Sequence, residues 1–231
     1  MTQTSTSFRS SIGRKAVMAV TGLLLSLFLL AHMAGNMLAW AGPAAFNGYA
    51  WALKGNAGLL WTARVGLLLV FVVHVASALS LTAENRRARP VAYAREATIQ
   101  ASYASRTMLL TGLVVLAYLV LHLLHFTIGV VEPTAFASHT AEGKHDAYRM
   151  LVLGFRNPLL SGVYIVAMGF LWLHVSHGLT TLWQSLVWNH PRYRPLLERG
   201  GRAVAALIVL GFVSVPVSVL AGIIGLAEGG N

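Results

Sequence analysis

Five long apolar runs divide this chain and decide most of what it can fold into. They occupy about 16–40, 59–81, 108–131, 158–188 and 203–226. A helix rises 1.5 Å per residue, so about 20 apolar residues cross a ~30 Å hydrocarbon core. Lipid offers the backbone no hydrogen-bond partners, which leaves helices as the form such runs take. The expected fold is therefore an all-α membrane protein: one transmembrane domain over 1–231, with five helices in a bundle.

The rest of the composition agrees. Of the 231 residues 56% are hydrophobic and 10% charged, where a soluble domain carries about a quarter charged. A basic lead and an Ala-Gly-Pro-Ala tail give the first run some likeness to a cleaved signal, but its apolar core exceeds the roughly 7–15 residues of such segments. It reads as a span. The absence of cysteine excludes disulfides, iron–sulfur ligation and thiolate chemistry within this chain.

The net charge of +10 does not point to nucleic acid, because the basic residues sit in the gaps between spans. Arg9, Arg14 and Lys15 lie in the lead; Arg86, Arg87, Arg89, Arg95 and Arg106 in the second gap; Arg192, Arg194, Arg199 and Arg202 in the fourth. Only Lys54, Arg64, Lys144, Arg149 and Arg156 fall on the other side. The positive-inside rule then places the N-terminus in the cytoplasm and the C-terminus outside. The long fourth run is expected to tilt or protrude, and Pro216 to kink the fifth. The mixed-charge stretch 132–157 is expected to fold over the outer face.

Six histidines fall inside spans: His32, His74, His122, His125, His174 and His177. The other three, His139, His145 and His190, lie in loops and read as solvated groups without a role. An ionisable residue facing lipid is costly, so those in spans belong in the bundle interior and are functional candidates. One buried histidine is as readily an interhelical hydrogen bond; four helices of five carrying at least one is harder to explain that way.

Depth sorts them. At 1.5 Å per residue His32 lies roughly 26 Å beyond Lys15, and His122 roughly 24 Å beyond Arg106, both near the outer leaflet. On the antiparallel spans His74 lies roughly 20 Å from Trp61 and His174 roughly 24 Å from Pro158, both near the inner leaflet. Two levels with two histidines each suit two bis-histidine haems stacked across a bilayer. Iron with an imidazole on either side has no open position, so such centres transfer electrons and do not activate ligands. A zinc or copper site would want three or four ligands at one depth.

Within His122/His125 and His174/His177, one turn separates the rings by about 60° around the axis. Both can face inward while one binds iron and the other lies near a propionate, a quinone or a loop. Gly35, Gly169 and Gly178 offer close approach to a flat macrocycle or another helix.

With those residues in view, the chain resembles a known family. Ser11-Ile-Gly-Arg-Lys-Ala-Val-Met-Ala-Val-Thr-Gly22, followed by Ala31-His32-Met-Ala-Gly-Asn36, looks like the start of the single-chain dihaem cytochrome b anchor of succinate dehydrogenases and fumarate reductases. Ala45-Phe-Asn47, Val73-His-Val75, Leu121-His-Leu-Leu-His-Phe126 and Leu173-His-Val-Ser-His-Gly-Leu179 continue it, over nearly the whole chain.

The resemblance implies a membrane anchor and electron-transfer subunit of succinate:quinone oxidoreductase, in the respiratory chain and the tricarboxylic acid cycle. It implies a multi-pass protein of the bacterial cell (inner) membrane, with two haem b and menaquinone or ubiquinone as substrate. FAD and iron–sulfur clusters would reside in a flavoprotein and an iron–sulfur partner docked at the cytoplasmic face. The anchor would not itself hold the dicarboxylate, so whether to call it an enzyme depends on the complex.

By position the resemblance assigns His32 and His122 to a distal haem and His74 and His174 to a proximal one, with His125 and His177 as further cofactor candidates. Some family members carry an acid near the outer end of the second span; this chain has no Asp or Glu between Arg14 and Glu84. The quinone site is not located by that likeness, and Ser11, Arg14 and Arg64, with Lys15 and His125, are its candidates. The physiological direction and any higher oligomer stay open. The alternatives are an anchor cytochrome b of another membrane oxidoreductase and a non-redox proton-relay or transport bundle.

Overall fold

A computed structural model describes residues 11–88, 106–186 and 190–226. Its elements are α1 (Ser11–Met37), a 3-10 turn (Leu38–Ala41), α2 (Pro43–Gly55), α3 (Ala57–Arg87) and α4 (Met108–His122), which runs on into a π-helical segment (Leu123–Ile128). They continue with the short α5 (Pro133–Phe136), α6 (Ala147–Arg156), α7 (Pro158–Ser185) and α8 (Arg194–Leu220). Outside helices the described residues hold one isolated antiparallel bridge, between His139 and His145.

Five helical stretches of 21 to 31 residues are long and apolar enough to cross a membrane. Their apolar side chains are largely turned outward, as at Leu27, Leu68, Leu69, Leu113, Val166 and Leu210. Contiguous apolar surface of that extent is a liability in water and the normal face of a helix in lipid. The coarse fold expected from the apolar runs is thus present: all-helical, with five candidate spans.

The boundaries differ from the expected ones, each for a local reason. α3 continues past 81 to Arg87, because its last two turns are polar yet helical and place Glu84 beside Arg14. The third span stops at Ile128 and not 131, where Gly129 at φ +81 sends its N–H back to the Leu124 carbonyl. A Cβ at Gly129 would run into the Phe136 ring, so glycine is required there. The fourth stops at Ser185, short of 188.

α8 begins at Arg194, well before 203, on a polar first segment in which Glu198 pairs with Arg194 at 2.8 Å and Arg202 at 3.9 Å, four residues to either side. It ends at Leu220 and not 226: Ile223 N–H bonds the Ser218 carbonyl and Gly222 bonds that of Val219. Pro216 lies inside the helix. α2 was not expected at all. It is 13 residues long, with Pro43 in its first turn, and carries no span-length apolar run to betray it.

The chain packs as two compact units. Unit 1 comprises the described parts of Met1–Phe28, Trp61–Thr111 and Leu173–Ala206. It draws on the N-terminal part of α1, most of α3, the start of α4, the C-terminal part of α7 and the start of α8. Arg14 fixes α1 to α3 here, donating to Ser80 Oγ at 2.8 Å and pairing with Glu84. Gly201 of α8 faces the Leu179 backbone of α7, where a Cβ would lie 3.1 Å away.

Unit 2 comprises the described parts of Leu29–Leu60, Gly112–Trp172 and Leu207–Asn231. Its core is built on α6, whose Tyr148, Leu151, Val152 and Phe155 repeat at helical spacing and are all buried. They meet Tyr164 of α7, Val215 and Val219 of α8, and Ala39. Full burial of such side chains contributes about 1.5–3 kcal/mol each. Asp146 caps α6 by accepting the Arg149 N–H at 2.9 Å. Buried Asn47 of α2 then locks the cap, donating to Asp146 Oδ1 and accepting from the Tyr148 N–H, both at 2.9 Å. The stretch 132–157 is therefore a folded core element of this unit.

Candidate functional site

The span histidines come together two by two, one pair in each unit. In unit 1, His74 of α3 and His174 of α7 face each other with ring centroids 6.4 Å apart and planes at 74°. In unit 2, His32 of α1 and His122 of α4 face at 5.9 Å and 79°. A metal–imidazole bond is about 2.0–2.1 Å; adding about 1.1 Å from nitrogen to ring centre, one ion between two opposed imidazoles puts their centroids about 6.3 Å apart. Both pairs stand close to that separation.

The unit 1 rings are oriented by threonines. His74 Nδ1 lies 3.1 Å from Thr21 Oγ1, and His174 Nδ1 lies 3.3 Å from Thr111 Oγ1. Each hydroxyl already donates within its own helix, Thr21 to the Val17 carbonyl at 2.8 Å and Thr111 to that of Met108 at 3.1 Å. Each therefore accepts from its histidine, which places the ring proton on Nδ1 and the lone pair on Nε2. An imidazole held by one nitrogen with the other left basic is a metal ligand ready to bind. Gly22 gives the His74 ring its place: a Cβ there would come within 3.2 Å of Cε1.

The unit 2 rings have a different setting. His122 lies among Tyr118 at 6.0 Å, Phe126 at 5.8 Å and Tyr164 at 6.2 Å, and its Nδ1 is buried with no hydrogen-bond partner among the described residues. His32 packs on Phe212 at 5.6 Å, and Asn36 Nδ2 approaches its Nε2 at 3.5 Å while donating to the His32 carbonyl at 2.8 Å. A buried imidazole nitrogen without a partner is uncommon and calls for one.

His125 does not share His122's environment. The π-helical turn begins directly after His122, and its i→i+5 bonding spreads the two rings around the axis beyond the 60° of a regular helix. His125 is 1% exposed, bonds the Tyr164 hydroxyl through Nδ1 at 3.0 Å and stacks on Phe126 at 3.9 Å. Its Nε2 is turned to Gly154 of α6, where a Cβ would lie 2.8 Å away. That Nε2, like His122 Nδ1, is buried with no hydrogen-bond partner among the described residues, but the room beside it is filled by α6, and the Nδ1 bond to Tyr164 ties the helix to α7.

The remaining sequence candidates scatter. His177 is partly buried on α7, and its carbonyl accepts the Thr180 and Thr181 hydroxyls at 2.9 Å. Arg14 is committed to Ser80 and Glu84. Arg64 is exposed and lies 5.2 Å over the Trp61 ring. Ser11 opens α1, but its side chain, like Arg89 and Arg95, lies outside the described residues. Gly35 is covered by Tyr49 of α2, whereas a Cβ at Gly169 or Gly178 would meet nothing within 4 Å. Gly178, one turn from His174, thus has open space beside it. Sequence reasoning missed Thr21, Thr111 and Tyr164; the usable signal was a hydroxyl within an apolar span.

Among the described residues no three His, Asp or Glu side chains converge as a metal-binding group. Comparison of the chain with family models, curated proteins and solved structures finds no match.

Proposed function

We propose that this chain is the dihaem cytochrome b anchor of a succinate:quinone oxidoreductase, carrying electrons between an iron–sulfur partner and a membrane quinone. The observation that carries the reading is the occurrence of two opposed histidine pairs, His74/His174 and His32/His122, each at the separation one ion between two imidazoles requires. One further feature supports it: the threonine-held Nδ1 atoms of the first pair.

Haem iron bound by two imidazoles changes oxidation state without taking up substrate. The chain's own residues supply the setting for it. Thr21 and Thr111 hold the unit 1 rings in the Nε2-basic tautomer, and Tyr118, Phe126, Tyr164 and Phe212 wall the unit 2 rings with apolar surface. The succinate side rests on the family resemblance of the histidine-bearing stretches. The dicarboxylate, FAD and iron–sulfur chemistry belong to partner subunits, for which the Arg-rich connections around 86–106 and 192–202 are the docking candidates.

The test is a dithionite-reduced minus oxidised spectrum of the protein purified with its partners under ample haem supply. The expected result is a pair of b-type components together with a FAD-bearing subunit in the mass spectrum. Absence of b-type bands ends the haem reading; haem without a flavoprotein moves the chain to the anchor of another oxidoreductase.

A further inference from the structure

His139 and His145 lie outside the spans and outside both facing pairs, and the backbone brings them together. Ser138 O accepts the Asp146 N–H at 2.9 Å, and the Thr140 N–H donates to Lys144 O at 2.7 Å. These two bonds bracket residues 139 and 145, making them the non-hydrogen-bonded pair of a small antiparallel ladder. In such a pair the side chains share a face and the Cα atoms stand about 4.5 Å apart, the closest cross-strand approach available. Gly143 at φ +74 closes the turn between them.

The rings use that placement. Their centroids are 6.2 Å apart at 78°, close to the separation of both span pairs. His139 Nδ1 donates to the Ala137 carbonyl at 2.7 Å, leaving Nε2 as the lone-pair nitrogen. His145 is anchored through its carbonyl, which accepts Trp51 Nε1–H at 2.8 Å, and its ring leans on Phe136. Asp146 beside it is fixed by Asn47 and the α6 cap. The ladder is thus a preformed two-imidazole clip on a rigid base.

We propose that His139 and His145 bind one late divalent transition-metal ion, water completing its coordination. Imidazole nitrogen suits Cu²⁺, Ni²⁺ and Zn²⁺, and the Irving–Williams order puts Cu²⁺ first. Lys54 and Lys144 bring positive charge to the neighbourhood, although Lys144 is drawn onto the Trp51 ring at 4.7 Å. Two ligands and nearby cations make this a weaker site than a three-ligand one. It stands apart from the electron-transfer reading and survives that reading's failure.

The test is Cu²⁺ titration of the 231-residue chain in detergent, free of any histidine tag, followed by electron paramagnetic resonance and calorimetry, each read as the difference from the chain carrying both His139→Gln and His145→Gln so that copper at the span pairs cancels. The expected spectrum shows hyperfine coupling to two imidazole nitrogens. Loss of an outer-shell partner alone costs about 10–100-fold in metal affinity, so His139→Gln and His145→Gln should each weaken binding by about 100-fold or more. His190→Gln should leave it unchanged. An unaltered signal in either loop variant, or a loss in His190→Gln, overturns the proposal. Far-UV circular dichroism checks the fold, and exposed His139 carries the test alone if His145→Gln does not fold.

Discussion

The two histidine pairs have nearly the same ring separation but opposite surroundings. In unit 1 each imidazole is held through Nδ1 by a threonine hydroxyl from a neighbouring helix. In unit 2 His122 is held by aromatic rings, and its Nδ1 finds no acceptor. Hydrogen bonding at the second nitrogen raises an imidazole's basicity and fixes its orientation; aromatic packing fixes orientation alone. The two pairs are thereby held in two ways, by threonine hydroxyls in one unit and by aromatic rings, with Asn36 beside His32, in the other.

The sharpest way to break the comparison is to remove one ring at a time. His74→Ala or His174→Ala should abolish one b-type component and leave the other at full amplitude, with the complementary loss in His32→Ala or His122→Ala. Loss of both components in every variant would mean the pairs are not independent sites. Next in size is His125→Ala, which should keep both components while lowering stability by about 2–4 kcal/mol, because it opens a cavity and strands the Tyr164 hydroxyl. A haem lost there but retained in His122→Ala would exchange the roles of the two.

Gly154→Ala pushes a methyl into His125 and Phe126 and should cost about 1–3 kcal/mol in thermal unfolding, whereas Gly178→Ala should cost nothing measurable. Thr21→Val removes one acceptor at His74, the Met18 carbonyl remaining, and should raise the midpoint potential of the unit 1 component alone, since a less basic ligand favours the reduced iron. Redox titration reads that shift. The smallest effect belongs to Arg14→Gln: its pairing with Glu84 is partly exposed and contributes about 0–1 kcal/mol, visible only in a careful melting comparison.

The spans were legible because lipid imposes one simple rule on length and composition, and the histidines because their cost in lipid marks them. What stayed hidden obeys local rules. α2 and α6 are only 13 and 10 residues long; α6 carries an amphipathic pattern and an Asp146 cap, but its place in the core shows only once Asn47, Asp146 and Tyr148 are seen to lock it to α2. Thr21 and Thr111 read as ordinary small residues of a membrane helix, since a hydroxyl that bonds its own backbone leaves no trace in hydropathy. The 60° separation expected between His122 and His125 assumes a regular helix, and the π-helical turn cancels that assumption one residue later.

That turn also makes this stretch unusually sensitive to insertion and deletion. A π-helical segment holds one residue more than the α-helical turn it replaces, so deleting one of Leu123, Leu124 or Phe126 can restore a regular helix without shortening the span's exit. His122 would keep its place in the chain's numbering; deleting Leu123 or Leu124 would bring His125 to two positions after it and Phe126 to three, whereas deleting Phe126 would leave that spacing unchanged. Substitutions probe what each ring touches; a single-codon deletion would probe the counting that assigns the rings to their tasks.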